Sequence, residues 1–170
     1  MAYAKSLKIL LALLAGAALA GCGSAVQSAA PSGRTQVRSD HYERFQGRPS
    51  PEDLKRYGLP IPGDVQAVEH WKYKSSGAGM DLWVRFEATQ AQLDQFLRNL
   101  GQSELDMLPG HSPFDSKDEA KLGWDIQSGP DVSGLAIPIP DSDLHGTYRQ
   151  VAVDRRGDSL VMVYVSSATT

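Results

Sequence analysis

The chain has 170 residues, a formal net charge of −3 and one cysteine. One cysteine allows neither an intramolecular disulfide nor a metal or haem site built on several cysteine ligands, so we expect a fold stabilised by its hydrophobic core, with no cofactor. Residues 23–48 carry more basic than acidic side chains, whereas residues 49–170 are acidic. Nucleic-acid binding needs a concentrated basic surface, and we therefore expect no nucleic-acid partner.

The N-terminal residues have the pattern of an export signal. Lys5 and Lys8 precede an apolar run over residues 9–20 that ends in small side chains, which is the order of regions in a secretory signal peptide. A membrane-spanning helix needs about 20 apolar residues, whereas this run is shorter and contains Gly16. We therefore expect the segment to direct export and then to be removed.

The last residues of this segment, Leu19-Ala20-Gly21-Cys22, resemble the lipobox of bacterial lipoproteins. The resemblance covers residues 1–22 and implies removal of residues 1–21 and a diacylglycerol on the Cys22 sulfur. Two or three acyl chains hold a protein stably on a bilayer, so we expect a lipid-anchored protein of the bacterial cell envelope. Gly23 resembles the residue of lipoproteins that are sorted to the outer membrane, where the cell has one. The alternative is an ordinary cleaved signal that leaves a free thiol.

Residues 22–48 are predicted to be the lipidated cysteine followed by a flexible tether. They are rich in Ser, Ala, Gly and polar side chains and have no sustained periodicity. A coil of this length spans roughly 25–30 Å, enough to hold a domain clear of the lipid headgroups. Tyr42 and Phe45 offer an alternative, in which the end of the tether docks on the domain. Residues 49–170 are expected to form a single domain.

The first half of this domain contains one predicted helix and two predicted strands. Ser50 can cap a helix that begins at Pro51, and we predict this helix over residues 51–57. Residues 66–74 predict a strand with one face formed by Ala67, Trp71 and Tyr73. Alternation over residues 80–86 predicts a second strand, with an apolar face of Met80, Leu82, Val84 and Phe86 and an opposite face of Asp81, Trp83, Arg85 and Glu87.

The remaining elements complete an α+β pattern. Thr89 and Gln92 can form a capping box for an amphipathic helix whose apolar residues follow at helical spacing, namely Leu93, Phe96, Leu97 and Leu100. Residues 147–154 and 159–166 predict two more strands, and the second is apolar on both faces, as a central strand would be. The sequence therefore predicts an antiparallel β-sheet of about four strands (β-β-α-loop-β-β), with one amphipathic helix packed on one face.

The irregular stretch 104–143 is the first candidate for a functional site, because long connections in compact domains often carry function. It is strongly acidic, and a solvated, partly helical connection is the alternative. At its end, Asp141, Asp143 and His145 alternate along the chain, so an extended backbone would direct their side chains to one side. We regard these three as a possible binding surface. Their spacing does not match a calcium loop, and an Asp-rich turn explains it as well, so we predict no metal.

Two tryptophans are the other candidate surface residues. Trp83 lies on the predicted polar face of its strand, and Trp71 is expected near it across the neighbouring strand. Exposed aromatic rings can bind sugars or a protein partner. The alternative is that Trp83 packs beside Arg85 or under residues 104–143.

Together these features predict a binding or accessory module of the envelope, with an unknown ligand or envelope protein as its partner, and not an enzyme. The sequence has no Gly-x-Ser-x-Gly motif, and Cys22 is consumed by the lipid in this interpretation. One alternative is an envelope hydrolase that uses carboxylates of the stretch 104–143. Another is a purely structural lipoprotein.

Overall fold

The computed structural model describes residues 42–73, 80–126, 129–139, 148–156 and 159–169. Within them the chain forms a mixed α+β fold that combines three α-helices with one antiparallel sheet. The helices are α1 (Pro51–Arg56), α2 (Gln90–Asn99) and α3 (Ser116–Leu122). The strands are β1 (Tyr42–Gln46), β2 (Gln66–Tyr73), β3 (Met80–Ala88), β4 (Leu108–Pro109), β5 (Val132–Pro138), β6 (Tyr148–Asp154) and β7 (Val161–Thr169).

The sheet has seven strands in the order β1-β2-β3-β7-β6-β5-β4, and every neighbouring pair is antiparallel. The four predicted strands form its middle, and β7 is the central strand, as its two apolar faces indicate. The predicted number of about four strands is wrong, because β1 extends the sheet at one edge and β5 with β4 at the other. The α+β class is confirmed.

The added strands lack the patterns that identify a strand in a sequence. β4 has only two residues, and β5 contains Gly134 and ends at Pro138, both of which are disfavoured inside strands. Gly134 is needed for close packing, since a Cβ there would lie 2.5 Å from Pro113 Cδ and 2.6 Å from the His111 carbonyl oxygen. Residues 111–113 therefore cross directly over β5.

An aliphatic core lies on one face of the sheet and is covered by α1, α2 and the segment after α1. Its buried strand residues are Leu82, Val84, Phe86, Ala88, Val151, Val153, Val163 and Val165. The covering residues are Tyr57, Leu59, Ile61, Leu93, Phe96, Leu97 and Met107. α2 begins at the capping box of Thr89 and Gln92, so the predicted amphipathic helix is confirmed.

An aromatic core lies on the opposite face, because alternate strand residues point to opposite sides of a sheet. It consists of Trp71, Trp83, Phe114, Leu122, Trp124, Ile126, Val132, Ala152 and Tyr164. Residues 114–126, which include α3, cover this face. The prediction of a single helix on one face is therefore incomplete, since helices pack on both faces.

The predicted tether included Tyr42–Gln46, but in the structure these residues are β1, which is the docked alternative. β1 pairs with β2 from Tyr42 opposite Tyr73 to Gln46 opposite Glu69. Within this ladder, the Phe45 ring stacks on the ring of its partner His70, with centroids 4.9 Å apart. The last residues of the predicted tether are therefore an edge strand of the sheet.

Glu69 provides the strongest polar contacts between β1 and the sheet. It is 9% exposed, and its Oε1 accepts hydrogen bonds from Arg44 Nη2 at 2.6 Å and Gln46 Nε2 at 2.9 Å. Its Oε2 lies 2.8 Å from Nη2 of Arg85 on β3. Burial raises the pKa of Glu69, but the hydrogen bonds from β1 and the two arginine charges outweigh it, and the net shift is downward. Glu69 is therefore ionised and links three strands.

Candidate functional site

The two tryptophans predicted as a contact surface are buried. Trp71 is 3% exposed and Trp83 is 6% exposed. The ring of Trp83 lies 5.7 Å from the rings of both Phe114 and Trp124. The predicted surface role of these two residues is therefore wrong, and the alternative of packing under the stretch 104–143 is correct. The sequence pattern failed because a second layer of chain covers the apparently polar face.

The described acids of the stretch 104–143 mostly have structural partners. Asp106 and Asp115 accept backbone hydrogen bonds at the starts of a 3₁₀ turn and of α3. Side-chain contacts join Glu104 to Arg155 at 2.6 Å, Asp118 to Lys121 at 3.0 Å and Ser112 to Glu119 at 3.0 Å. Asp141, Asp143 and His145, like Cys22, lie outside the described residues.

Among the carboxylates that the structure describes, Asp81 of β3 has the least favourable surroundings for a negative charge. Burial, and then the charge of Asp118 on α3, raises the pKa of Asp81. Burial and the same two carboxylates raise the pKa of Tyr42 to about 12. The negative charge of Asp81 therefore destabilises the folded state at neutral pH.

We expect Asp81→Asn to raise the free energy of unfolding at pH 7. The folded-state pKa of Asp81 lies above its unfolded value of about 3.9, so the stability of the native chain falls as pH rises through that interval. The difference between the variant and the native chain should be largest at pH 7 and vanish near pH 3.5, as measured by urea unfolding. Asp64→Asn, at an exposed position, is the control and should change little at either pH. An equal gain at both pH values would contradict the charge effect.

The described residues include one buried histidine, His70 of β2. Among them, no three His, Cys, Asp or Glu side chains come together as a group that could hold a metal ion. His70 is buried, and its Nδ1 lies 2.9 Å from the carbonyl oxygen of Gly47. Burial is the main reason that the pKa of His70 is lowered. His70 thus serves to attach the residue after β1 to β2.

A groove between α1 and the end of α2 is the strongest candidate for a binding site. Its volume is about 560 Å³, which lies within the range of small-molecule sites. Most of its wall is apolar and comes from Pro51, Leu54, Leu59, Pro60, Ile61 and Leu100. Three cationic side chains also line it, namely Arg48, Lys55 and Arg149. None of the described residues that line it is acidic, so the groove has an excess of positive charge.

Arg149, at the start of β6, is the most distinctive of these cations. Its Nη2 donates to the carbonyl oxygen of Tyr57 at 3.2 Å, and its buried Nε has no hydrogen-bond partner among the described residues. Burial lowers the pKa of Arg149, and no carboxylate within the described part of the chain forms an ion pair with it. A partly desolvated guanidinium without a counterion attracts an anion more strongly than an exposed one.

The backbone around Arg149 is shaped to accommodate it. Gly58 has a φ of +59°, and a Cβ at this position would lie 2.6 Å from Arg149 Nη2. The neighbouring Tyr57 carbonyl also accepts a hydrogen bond from Ser167 Oγ of β7 at 2.8 Å. The segment after α1 is thus fixed to β6 and β7, and the position of Arg149 in the groove is defined.

Arg48 and Lys55 add further positive charge to the lining of the groove. Arg48 donates to the carbonyl oxygens of Pro62, at 2.6 Å, and of Ile61. These acceptors are neutral, and no described carboxylate forms an ion pair with Arg48 or Lys55. By contrast, Asp53 on α1 is paired with Lys72 of β2 at 2.6 Å. Of the two acids of α1, Asp53 is therefore used to attach the helix, and Glu52 is not among the residues that line the groove.

A second cavity, beside the aromatic core, has two acidic residues and one basic residue among its described lining residues. Its volume is about 500 Å³, and its lining includes Glu87, Asp154 and Arg156. Arg156 forms an ion pair with Asp154 and also donates to the Asp125 carbonyl oxygen at 2.7 Å. Since its cation already has a carboxylate partner, this cavity is a weaker candidate than the groove.

Sequence reasoning missed the groove because its cations come from distant parts of the chain. Arg48 precedes α1, Lys55 lies within it, and Arg149 lies almost a hundred residues later on β6. The one available signal was local: the segment Leu59-Pro60-Ile61-Pro62 is too apolar for a simple connection, and basic residues precede it. Nothing in the sequence indicates that Arg149 joins them.

Comparison with known proteins gives no family for this chain. No protein-family model, no curated protein and no solved structure matches it. In the part of the chain that the structure describes, no helix has the length and apolar character needed to span a bilayer.

Proposed function

We propose that this chain is a lipid-anchored protein of the bacterial envelope whose folded part acts as a binding module, not a catalyst. Its ligand is an anion that occupies the groove between α1 and the end of α2. The single observation that supports this most strongly is the half-buried Arg149, which has no described carboxylate partner. The lipobox-like sequence ending at Cys22 supports the anchor, which would present the groove to envelope molecules.

Charge complementarity favours an anionic ligand over a neutral or cationic one. The folded part of the chain is acidic overall, yet the described lining of the groove includes three cations and no acid. An acidic protein gains nothing in stability from clustering like charges, since they repel one another. A bound anion would offset this repulsion and would meet guanidinium donors suited to carboxylate or phosphate oxygens.

Short anions provide the direct test of the groove. We expect millimolar butyrate or inorganic phosphate, added to the full chain carrying Cys22→Ser, to shift NMR signals of residues that line the groove, Gly58 among them. Arg149→Met should reduce the affinity about tenfold, since it removes a charge-assisted contact. Arg98→Met is the matched control, because Arg98 lies on α2 outside the groove lining. Absence of shifts, or shifts that survive Arg149→Met, would overturn the proposed site.

The anchor is tested separately on the mature protein. Mass spectrometry should find an N-terminus at Cys22 that carries a diacylglycerol, and Cys22→Ser should move the chain from the membrane fraction to the soluble fraction. Cys22→Ser lies far from the groove in sequence and should leave anion binding unchanged. An unmodified sulfur in the mature chain, or membrane association that persists in the variant, would refute the anchor.

A further inference from the structure

We infer that the ligand of the groove is a single-chain anionic amphiphile: a carboxylate or phosphate head bound at Arg149, with a hydrocarbon tail along the apolar wall. This inference rests on the proposed function and adds the chemical class of the ligand. It depends on the composition of the wall and on the hydrogen bonding of the backbone that forms it.

The apolar wall is too extensive for a small inorganic anion alone. Leu59 and Ile61 contribute to it next to Leu54 and Leu100, which are only partly buried against the aliphatic core. Leu59 and Ile61 are already buried in the aliphatic core, but a phosphate ion that contacted the cations would leave Leu54, Leu100, Pro51 and Pro60 in water. A hydrocarbon tail would cover them, and each buried methylene strengthens binding.

The backbone of the groove favours a hydrocarbon over a peptide. The amide groups of Gly58, Leu59 and Ile61 already donate to carbonyls within residues 54–59, and Pro51 and Pro60 have no amide hydrogen. The carbonyls of Tyr57, Ile61 and Pro62 already accept hydrogen bonds from arginines. A peptide lying here would bury its own backbone groups without partners, at a considerable cost. A hydrocarbon tail needs no hydrogen bonds.

Arg149 is the expected contact of the anionic head. It is the cation of the groove whose charge is most desolvated, as its lowered pKa and buried Nε indicate. Arg48, in contrast, has two carbonyl acceptors that occupy its guanidinium. The head would therefore lie beside Gly58, with the tail directed along the wall.

Isothermal titration calorimetry of the full chain carrying Cys22→Ser, which lacks competing acyl chains, tests this inference. Dodecanoate, kept below its micelle concentration, should bind about 100-fold more tightly than butyrate, because of its additional methylenes. Dodecyltrimethylammonium, with the same tail and a positive head, should bind at least tenfold more weakly than dodecanoate. Arg149→Met should weaken dodecanoate about tenfold, whereas the matched control Arg98→Met should leave it unchanged. Dodecyl phosphate in place of dodecanoate distinguishes the two head groups.

Each failure has a separate meaning. If butyrate and dodecanoate bind in the groove with equal affinity, the amphiphile inference is wrong and the proposed anion site stands. If dodecanoate and dodecyltrimethylammonium bind with equal affinity, the cations of the groove play no part and the inference is again wrong. If an acidic peptide binds more tightly than dodecanoate and displaces it, the ligand is a peptide and the amphiphile inference is wrong. If no anion binds, the proposed function fails as well.

Discussion

Replacement of Trp124 by alanine is expected to lower the free energy of unfolding by about 4 kcal/mol. Trp124 is 5% exposed, and its ring lies between 5.0 and 5.7 Å from four other aromatic rings, those of Tyr164, Phe114, Trp71 and Trp83. It attaches the segment around α3 to the sheet, so its removal leaves a large cavity between the two layers. Urea unfolding followed by circular dichroism measures the loss.

Two controls separate packing from other effects of this substitution. Trp124→Phe should cost only about 1–2 kcal/mol, since it keeps a ring and removes an Nε1 for which the described residues offer no hydrogen-bond partner. Leu105→Ala should change stability by less than about 0.5 kcal/mol, because Leu105 is 96% exposed. Equal losses for Trp124→Phe and Trp124→Ala would contradict the role assigned to the ring.

Removal of β1 should produce the second large effect. Deletion of residues 42–47, which retains Arg48, is expected to lower the free energy of unfolding by about 3 kcal/mol. The deletion removes the five residues of β1 that pair with β2. It also leaves Arg85 as the one described ion-pair partner of Glu69. Because the folded-state pKa of Glu69 is lowered, its stabilising contribution exists above the unfolded pKa and is lost as pH falls through the folded value. The effect of the deletion should therefore shrink in acid.

The matched control for this deletion lies in the predicted tether. Deletion of residues 24–29 shortens the chain by as many residues and should leave the unfolding midpoint unchanged. Arg44→Met tests the charge contact alone and should cost about 1 kcal/mol, since Arg44 is partly exposed. Comparable destabilisation by the two deletions would show that β1 has no special role.

The sequence predicted those elements whose residues follow a strong local pattern. The capping box and helical spacing of residues 89–100 identified α2, and strict alternation identified β3. The apolar faces of residues 159–166 predicted the central place of β7, which it has. In these segments, burial against the sheet and the local spacing of apolar residues favour the same conformation.

Elements formed by contacts between distant segments escaped prediction. β1 is mostly polar and becomes a strand because β2 offers an open edge and the buried Glu69. β5 tolerates Gly134 because residues 111–113 cross over it. Trp83 follows a pattern typical of an exposed face, but residues 114–126 cover it. In each case the determining partner lies at least twenty residues away, where periodicity carries no information.

The position of β1 also has a mechanical consequence. It is the edge strand, and it contains the first residues that the structure describes. Tension between an anchored N-terminus and the rest of the molecule would load the five β1–β2 pairs before any other part of the sheet. Such a load would separate β1 from β2, starting at the Tyr42–Tyr73 pair. The hydrogen bonds of Glu69 to Arg44 and Gln46 would resist this separation. The other six strands would stay paired. β1 would thus detach under tension before the rest of the sheet unfolds.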